Sequence, residues 1–279
     1  MTYRTLLDIL TTHYDANEAR AIAFALLEDA FDLSRTDVLL GKIESLNQEQ
    51  QQDLLQMAER LRVGEPLQYV VGKARFGDNY FKVTPATLIP RPETLELVAW
   101  VEDEERDNDD LKLLDIGTGS GCIAISLAKR LPHAEVTAWD ISAEALSVAK
   151  ENAVDRGVNV NFQRRDVLAS ASTETMRFTT IVSNPPYICD KERTEMEHHV
   201  LEHEPHLALF VPDNDPLLFY RAIAERGKEL LCQGGHLYVE INRAYGHETC
   251  ALFKEMGYTD IELRQDEFGN DRMIKATLL

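Results

Sequence analysis

Four consecutive residues, Asn184-Pro185-Pro186-Tyr187, combine an amide, two proline rings and a phenol directly after the apolar run TTIVSN. The run predicts a strand, and ligands of open α/β sheets bind at the carboxyl ends of the strands. Two prolines hold φ at about −65° and supply no N–H, so the Asn184 amide and the Pro185 carbonyl are predicted to be fixed acceptors. Such acceptors suit an NH2 group, and Tyr187 adds a flat face that stacks on a planar amide or base. A proline-rich loop without chemistry is the alternative.

A glycine-rich turn, Gly117-Thr118-Gly119-Ser120-Gly121, follows the apolar run LLDI and opens the helical segment CIAISLAKR. Glycines there let a ligand approach the backbone and point N–H groups outward. Asp115 precedes the turn, where a carboxylate would meet a cationic ligand, and Asp140 ends the next strand, where it can bind both hydroxyls of an unphosphorylated ribose. S-adenosylmethionine carries a sulfonium, an ammonium and such a ribose. The pattern favours it, although NAD stays open from this turn alone, as does a helix N-cap role for Asp140.

Asp166 and Val167 follow the third predicted strand, so we expect them beside the adenine of the same cofactor. The four cysteines form no C-x-x-C pair and the eight histidines lack ligand spacing, so neither a metal site nor a disulfide framework is predicted. Histidines of the segment KERTEMEHHVLEHEP are expected at the surface, with gating of the substrate entrance as the alternative.

From Leu111 onward, strand candidates alternate with helical patterns, which is typical of an α/β fold with a doubly wound parallel sheet. The candidates are Lys112–Ile116, Glu135–Asp140, Val160–Gln163, Thr179–Asn184, Gly235–Ile241, Tyr258–Arg264 and Arg272–Thr277. Helical patterns lie between the first five and before the sixth. Only QDEFGND separates the last two, so a hairpin is expected there instead of a crossover. The prediction is a mostly parallel seven-stranded sheet with an antiparallel edge strand.

The beginning of the chain has apolar residues at helical spacing and no strand candidate. We predict a helical bundle over residues 1–72, then a linking β-hairpin over 73–87 with its turn at Gly77-Asp78-Asn79. The catalytic domain is expected over 88–279, and the prolines of LIPRPET are placed to start its first helix. The acidic stretch EDEERDNDD is predicted to be a solvated connector, with a functional acidic tail as the alternative.

The 279 residues carry a formal net charge of −19, which repels phosphate backbones. We therefore expect no direct DNA binding and favour a basic protein partner. The sequence has no uncharged apolar run of about 18 residues and no signal-peptide start. No membrane contact and a cytoplasmic location are the resulting expectations.

The glycine turn, Asp140 and the NPPY tetrapeptide together resemble Rossmann-like class I methyltransferases that modify amino or amide nitrogens. Longer segments are similar to the glutamine-N5 methyltransferases of peptide chain release factors, the PrmC/HemK family, over essentially the full length. These segments are GEPLQYVVG, ARFGDNYFKV, LIPRPETLELV, DIGTGSGCIAISLAK, SNPPYI, EPHLALFVP and GYTDIELRQDEFGNDRMIKA.

The resemblance implies S-adenosylmethionine as methyl donor, S-adenosylhomocysteine as product, and the glutamine of the Gly-Gly-Gln motif of class 1 release factors as acceptor. It implies a role in translation termination, with the helical domain helping to hold the factor. Cofactor contacts are implied from Gly117 through Gly121, Asp140 and Asn184, and substrate contacts from Asn184 through Tyr187, with Asn184, Pro185 and Tyr187 as catalytic residues. The chain departs from the family pattern at Val167, where an aromatic residue is usual, and at Asn242, where glycine or histidine is frequent.

Other functions are compatible with parts of this pattern. A DNA amino methyltransferase would bring a flipped base to the same tetrapeptide, but 29 Lys and Arg against 48 Asp and Glu argue against a DNA-binding face. Methylation of RNA or of a small amine stays open. A catalytically idle cofactor-binding scaffold is the alternative of a different class, and the intact Asn184 and Tyr187 argue against it.

Overall fold

The structure is a computed structural model that describes residues 1–169, 177–196 and 198–279. The chain divides into two compact units. The first, here called the helical unit, contains Met1–Lys73 and a short later segment that ends at His203. The second, the sheet unit, contains Ala74–Met196 and Glu204–Leu279.

All seven strands predicted from Leu111 onward are present, and the structure adds two short strands, Ile188–Cys189 and Phe210–Val211, that were not predicted. The helices are α1 (Tyr3–Leu10), α2 (Ala16–Phe31), α3 (Arg35–Leu39), α4 (Gln48–Arg62), α5 (Leu67–Val71), α6 (Pro92–Glu105), α7 (Cys122–Arg130), α8 (Ala143–Arg156), α9 (His198–His203), α10 (Leu218–Leu230) and α11 (Gly246–Glu255). The strands are β1 (Lys73–Phe76), β2 (Asn79–Lys82), β3 (Lys112–Ile116), β4 (Glu135–Asp140), β5 (Asn161–Arg164), β6 (Phe178–Ser183), β7 (Ile188–Cys189), β8 (Phe210–Val211), β9 (Leu231–Glu240), β10 (Tyr258–Gln265) and β11 (Asp271–Leu278).

Side-chain caps start the two longest helices of the helical unit. The Asp15 carboxylate accepts hydrogen bonds from the first turn of α2, and Asn47 forms a reciprocal capping box with Gln50 at the start of α4. A core of buried aliphatic side chains, including Leu6, Leu26 and Leu54, holds the helices together. Residues 1–72, all of which the structure describes, contain no strand, so the predicted helical character is confirmed.

Seven strands form the main sheet, in the order β10-β11-β9-β6-β3-β4-β5. Strands β9, β6, β3, β4 and β5 pair in parallel. The antiparallel strand is β11, which lies between β9 and the outermost strand β10. The predicted mostly parallel sheet, with antiparallel pairing confined to one edge, is confirmed, and the hairpin between the last two strands accounts for it.

Helices cover both faces of the sheet. Successive side chains of a strand point to opposite faces, so neighbouring residues of β3 pack against different helices. Leu113 of β3 packs with residues of α6 and α7, including Leu97 and Ile123. Leu114, the next residue, packs into a second cluster that includes Ile223 of α10 and Phe253 of α11. This arrangement explains why strands β3, β4 and β6 are buried along most of their length.

The hairpin predicted at 73–87 is shorter and belongs to the sheet unit. Strands β1 and β2 end at Lys82, and Phe76 and Phe81 are buried in the same cluster as Leu97. The Asn152 side chain of α8 also bonds both the N–H and the carbonyl of Lys82. The burial of these two phenylalanines explains why Ala74 and the residues that follow it belong to the sheet unit.

One predicted helix, between the third and fourth strands, falls mainly on residues 170–176, which lie outside the described residues.

The pairing of the central strands brings the ends of three of them to the same edge of the sheet. Ile116 at the end of β3 is level with Trp139 of β4 and with Ser183 of β6. The residues that follow these three strands are therefore brought to one edge of the sheet.

Candidate active site

A cavity of about 380 Å³ lies where β3, β4 and β6 end. Its wall contains eight of the predicted site residues: Gly117, Gly119, Asp140, Asp166, Val167, Asn184, Pro185 and Pro186. The remaining five, Asp115, Thr118, Ser120, Gly121 and Tyr187, are not part of that wall. The cavity brings together the two motifs that are about seventy residues apart in the sequence.

The glycine turn depends on positive φ angles. Gly117 and Gly119 have φ of 77° and 55°, and a Cβ at either position would meet open space, so strain and access to the cavity explain the glycines there. A Cβ on Gly121, at φ 84°, would lie 2.7 Å from Ile125 Cδ1. Gly121 therefore permits close packing between the turn and α7.

Three N–H groups of the turn are not free donors, which corrects the expectation that they point outward. Gly117 and Thr118 both donate to the Trp139 carbonyl at 2.9 Å, and Gly119 donates to Asp140 Oδ2 at 2.8 Å. Because α7 begins only at Cys122, these N–H groups find partners on β4 instead. The glycines of the turn therefore let a ligand approach the backbone closely, but these three N–H groups already have hydrogen-bond partners in the protein.

Asp115 is fully buried behind the turn. Its Oδ2 accepts hydrogen bonds from Thr118 Oγ1 at 2.6 Å and from the Ala124 N–H at 3.2 Å, whereas Oδ1 is buried without a hydrogen-bond partner among the described residues. Burial raises the pKa of Asp115 to about 7, against the lowering effect of those two donors. The site therefore contains a carboxyl group that a nearby cation would ionise.

Asp140 is half-buried at the cavity wall. Its two oxygens accept hydrogen bonds from the N–H groups of Gly119 and Ser142, at 2.8 and 2.9 Å. Burial raises its pKa, and these N–H groups oppose the rise. Ser142, not Asp140, caps α8, so the N-cap alternative is wrong. A carboxylate held in place at the cavity wall can still accept further hydrogen bonds.

Asp166 and Val167 border the cavity just after β5. Asp166 is exposed and accepts a hydrogen bond from the Leu168 N–H at 2.9 Å. Val167 is half-buried and packs against the apolar cluster that contains Ile223. At this departure from the family pattern, an aliphatic side chain supplies the apolar surface.

The NPPY tetrapeptide begins directly after β6, which ends at Ser183, one residue before the predicted end of this strand. The Asn184 side chain donates from Nδ2 to Thr94 Oγ1 at 3.0 Å, and the Tyr187 hydroxyl donates to Glu240 Oε1 at 3.1 Å. Burial raises the pKa of Tyr187, with the charge of Glu240 acting in the same direction. The Tyr187 hydroxyl is therefore a neutral donor held by the sheet.

Three residues that the sequence analysis did not assign support this tetrapeptide: Thr94, Glu240 and Asn242. Asn242 is buried and donates from Nδ2 to the Tyr187 carbonyl at 3.0 Å and to the Glu192 carboxylate. A glutamate within the apolar strand LYVEIN was the sequence signal available for Glu240. Asn242, noted above only as a departure, is a structural partner of the motif.

The site suits a cofactor that has a cationic and a ribose group. The buried Asp115 Oδ1 and the buried Trp139 Nε1 have no hydrogen-bond partner among the described residues. Asp140 presents a carboxylate to the same cavity, which has ample volume for a drug-sized ligand. Among the residues that the structure describes, no group of three or more His, Cys, Asp or Glu side chains is placed to hold a metal ion.

Solved structures that are similar to this chain include methyltransferases. A Pyrococcus furiosus methyltransferase is 16% identical with a TM-score of 0.51, covering 71% of this chain and 87% of that one. A T. thermophilus 16S rRNA methyltransferase, solved with AdoMet and guanosine, has a TM-score of 0.53 and 16% identity, covering 74% of this chain and 50% of that one. Residues 97–207 match the model of the methyltransferase small domain. These likenesses show that the chain has the Rossmann-like fold of class I methyltransferases, and the matched domain lies within that fold.

Closer relatives identify the family. Residues 7–72 match the PrmC N-terminal domain. A release factor glutamine methyltransferase of Bacteroides thetaiotaomicron is 47% identical over 263 residues, covering 94% of each chain. Another from Flavobacterium psychrophilum is 44% identical over 282 residues, covering 98% of this chain and 97% of its own. This chain belongs to the release factor glutamine methyltransferase family. Helices long and apolar enough to cross a membrane are absent from its described parts.

Proposed function

We propose that this protein transfers a methyl group from S-adenosylmethionine to the side-chain amide nitrogen of the glutamine in the Gly-Gly-Gln motif of class 1 peptide chain release factors. The observation that carries the proposal is the Asn184 amide, held at the cavity wall by Thr94 with its oxygen left for a ligand. Family membership supplies the identity of the acceptor. Such an enzyme modulates translation termination and works in the cytoplasm, where its substrate is.

The cofactor would occupy the cavity beside the glycine turn, where it supplies an electrophilic methyl group. Asp140 would accept hydrogen bonds from the ribose hydroxyls, and Gly117 and Gly119 would allow the ligand to approach the backbone. Asp115 would contribute negative charge from behind the turn. Asp166 and Val167 would border the adenine, with Val167 contributing apolar contact.

The acceptor nitrogen needs help, because the lone pair of a carboxamide is delocalised into its carbonyl. Asn184 Oδ1 and the Pro185 carbonyl would each accept one N–H of the glutamine amide. This holds the nitrogen so that its remaining face is turned toward the methyl group. Pro186 keeps the segment rigid, and Tyr187 supports the same acceptor geometry. The methyl group exchanges its bond to the sulfonium sulfur for one to the amide nitrogen, which leaves S-adenosylhomocysteine as the other product. The nitrogen then loses one N–H proton, and bulk water can take it.

The helical unit would hold the release factor. Its matched N-terminal family domain and the net charge of −19 support binding to a basic, nucleic-acid-associated protein. Residues 1–72 would thus bind the body of the release factor, whereas the cavity beside Asn184 would bind only the glutamine side chain.

Mass spectrometry tests the proposal directly. The purified chain is incubated with S-adenosylmethionine and a whole release factor, and the Gly-Gly-Gln peptide is then analysed. We expect one added methyl group on the glutamine, and none in a matched factor whose glutamine is replaced by alanine. An unmodified glutamine, with methylation elsewhere or not at all, would refute the proposed acceptor.

A further inference from the structure

Behind the candidate acceptor Asn184 lies a chain of hydrogen bonds whose donors and acceptors can be assigned. It begins at Glu240, which is 1% exposed. Glu240 Oε2 accepts from Thr94 Oγ1 at 2.6 Å, and Oε1 accepts from the Tyr187 hydroxyl at 3.1 Å. Burial raises the pKa of Glu240, whereas these two hydroxyls and the positive charge of Arg272 lower it. Both hydroxyls donate to Glu240, each to a different carboxyl oxygen, as a group that accepts through two oxygens allows.

The direction of the hydrogen bond from Thr94 to Glu240 also determines which atom of the Asn184 side chain faces Thr94. A threonine hydroxyl has one proton, and at Thr94 that proton points to Glu240. The Thr94 oxygen can then only accept from the Asn184 side chain, whose nearest atom is 3.0 Å away. That atom must be the NH2 nitrogen. The amide oxygen of Asn184 is therefore the atom turned to the cavity.

We propose that Thr94 and Glu240 are positioning residues that orient the Asn184 amide, so that the site accepts a glutamine amide and rejects a glutamate carboxylate. This inference rests on the proposed function. Thr94 and Glu240 do not line the cavity and act through Asn184. Both are buried polar groups in an apolar setting, where the cost of an unmet hydrogen bond favours one arrangement.

The selectivity follows from the direction of the hydrogen bonds. A glutamine NH2 donates to Asn184 Oδ1, whereas a glutamate carboxylate at neutral pH has no proton to donate and meets an oxygen facing an oxygen. Without the Thr94 hydroxyl, the hydrogen bond that fixes the orientation of the Asn184 amide is lost, and we expect the amide to rotate by half a turn. Its NH2 group then faces the cavity, where it repels the glutamine amide and binds the carboxylate.

The test compares two peptides on full-length variants. Thr94→Val removes the hydroxyl at nearly constant shape, Thr94→Ser restores it, and Thr137→Val makes the same exchange at a buried threonine of β4. For each protein, kcat/KM is measured on a Gly-Gly-Gln peptide, and the inhibition constant is measured for a Gly-Gly-Glu peptide. Affinity for S-adenosylhomocysteine reports whether the cofactor site is intact.

For Thr94→Val we expect kcat/KM on the glutamine peptide to fall by about tenfold or more, the usual scale for an unpaired buried polar group. The glutamate peptide should inhibit as well as before or better, so the preference for glutamine drops. Thr94→Ser should recover the preference, and Thr137→Val should keep it. A merely structural role would weaken both peptides alike, and this outcome overturns the inference.

Two further results are distinguishable from that outcome. If the wild-type protein does not methylate the glutamine peptide or a whole release factor, the proposed function itself fails. If Thr94→Val does not fold, Thr94→Cys takes its place, because a thiol is a weak hydrogen-bond partner of similar size. An unchanged preference for glutamine in the folded Thr94→Cys protein overturns the inference.

Discussion

The hydroxyl of Tyr187 donates a hydrogen bond to Oε1 of Glu240, 53 residues later in the chain, at 3.1 Å. This contact ties the last residue of the NPPY tetrapeptide to the end of β9. Glu240 also receives the Thr94 hydroxyl, so one buried carboxylate serves both ends of the motif. The position of the acceptor groups therefore depends on the sheet as well as on the two prolines.

Tyr187→Phe should destabilise the protein by about 1–3 kcal/mol, because it leaves the buried Glu240 without one donor. Methyl transfer should fall with it, since the tetrapeptide loses its link to β9. Urea unfolding and a methyl-transfer assay measure the two effects. Tyr258→Phe is the matched control: its hydroxyl donates to the Ala224 carbonyl at 2.8 Å in the buried core, so it should lose stability and keep activity. Equal activity in both variants would contradict this prediction.

Cofactor binding should release protons near pH 7. Burial raises the pKa of Asp115 from an ordinary 3.8 to about 7, so the carboxyl is partly protonated in the free protein. A cationic ligand nearby favours the ionised form and lowers that pKa. Calorimetry at pH 7 in buffers of different ionisation enthalpy measures the released protons, and Asp115→Asn should abolish the release. Binding enthalpies that do not depend on the buffer would contradict the prediction.

The same pKa shift predicts how the free protein responds to pH. The folded pKa of Asp115 lies above its unfolded value, so the folded state binds more protons between pH 3.8 and about 7. Its contribution to stability is complete below that range and is lost as the pH rises through about 7. In Asp115→Asn, the free energy of unfolding measured by urea titration should depend less on pH in this range. An unchanged dependence on pH would contradict the prediction.

Asp140→Ala should weaken S-adenosylmethionine binding by about 1.5–3 kcal/mol, the usual worth of hydrogen bonds to a charged acceptor. Isothermal calorimetry gives the affinity. Asp155→Ala, at an exposed position of α8, removes the same charge away from the cavity and should bind normally. Should Asp140→Ala bind as tightly as the wild type, the ribose must lie elsewhere.

Asn184→Ala should reduce methyl transfer to glutamine by about 10²–10³, the typical effect of losing one group that stabilises the transition state. Cofactor affinity should change little, because Asn184 mainly orients the acceptor amide. Turnover and cofactor binding are measured on the same preparation, with Asn159→Ala as an exposed control. Normal turnover in Asn184→Ala would remove the tetrapeptide from the mechanism.

Deleting residues 1–72 should spare cofactor binding and reduce methylation of a whole release factor more than methylation of a short Gly-Gly-Gln peptide. The helical unit has a core of its own, and the proposed cofactor residues belong to the sheet unit. Circular dichroism and cofactor titration establish that the shortened protein is folded. Equal losses on the two substrates would indicate a structural role instead.

The sequence by itself determined the elements whose signals are local. Strands β3 and β4 match their predicted bounds, the predicted bundle is helical, and Asn184 lies at the carboxyl end of a strand. Periodicity, caps and glycine positions depend on near neighbours, so they can be read from a single chain. The doubly wound, mostly parallel sheet followed from the alternation of strands with helices.

Only the tertiary structure decided how the polar groups pair. Thr94 and Asn184 are 90 residues apart, and Tyr187 and Asn242 are 55 apart. A hydrogen bond between distant side chains leaves no periodic trace, because it depends on packing that brings the two groups together. The same holds for the turn N–H groups, which the backbone of β4 and Asp140 engage. Residue types indicated an acceptor site, whereas the direction of each hydrogen bond required the folded sheet.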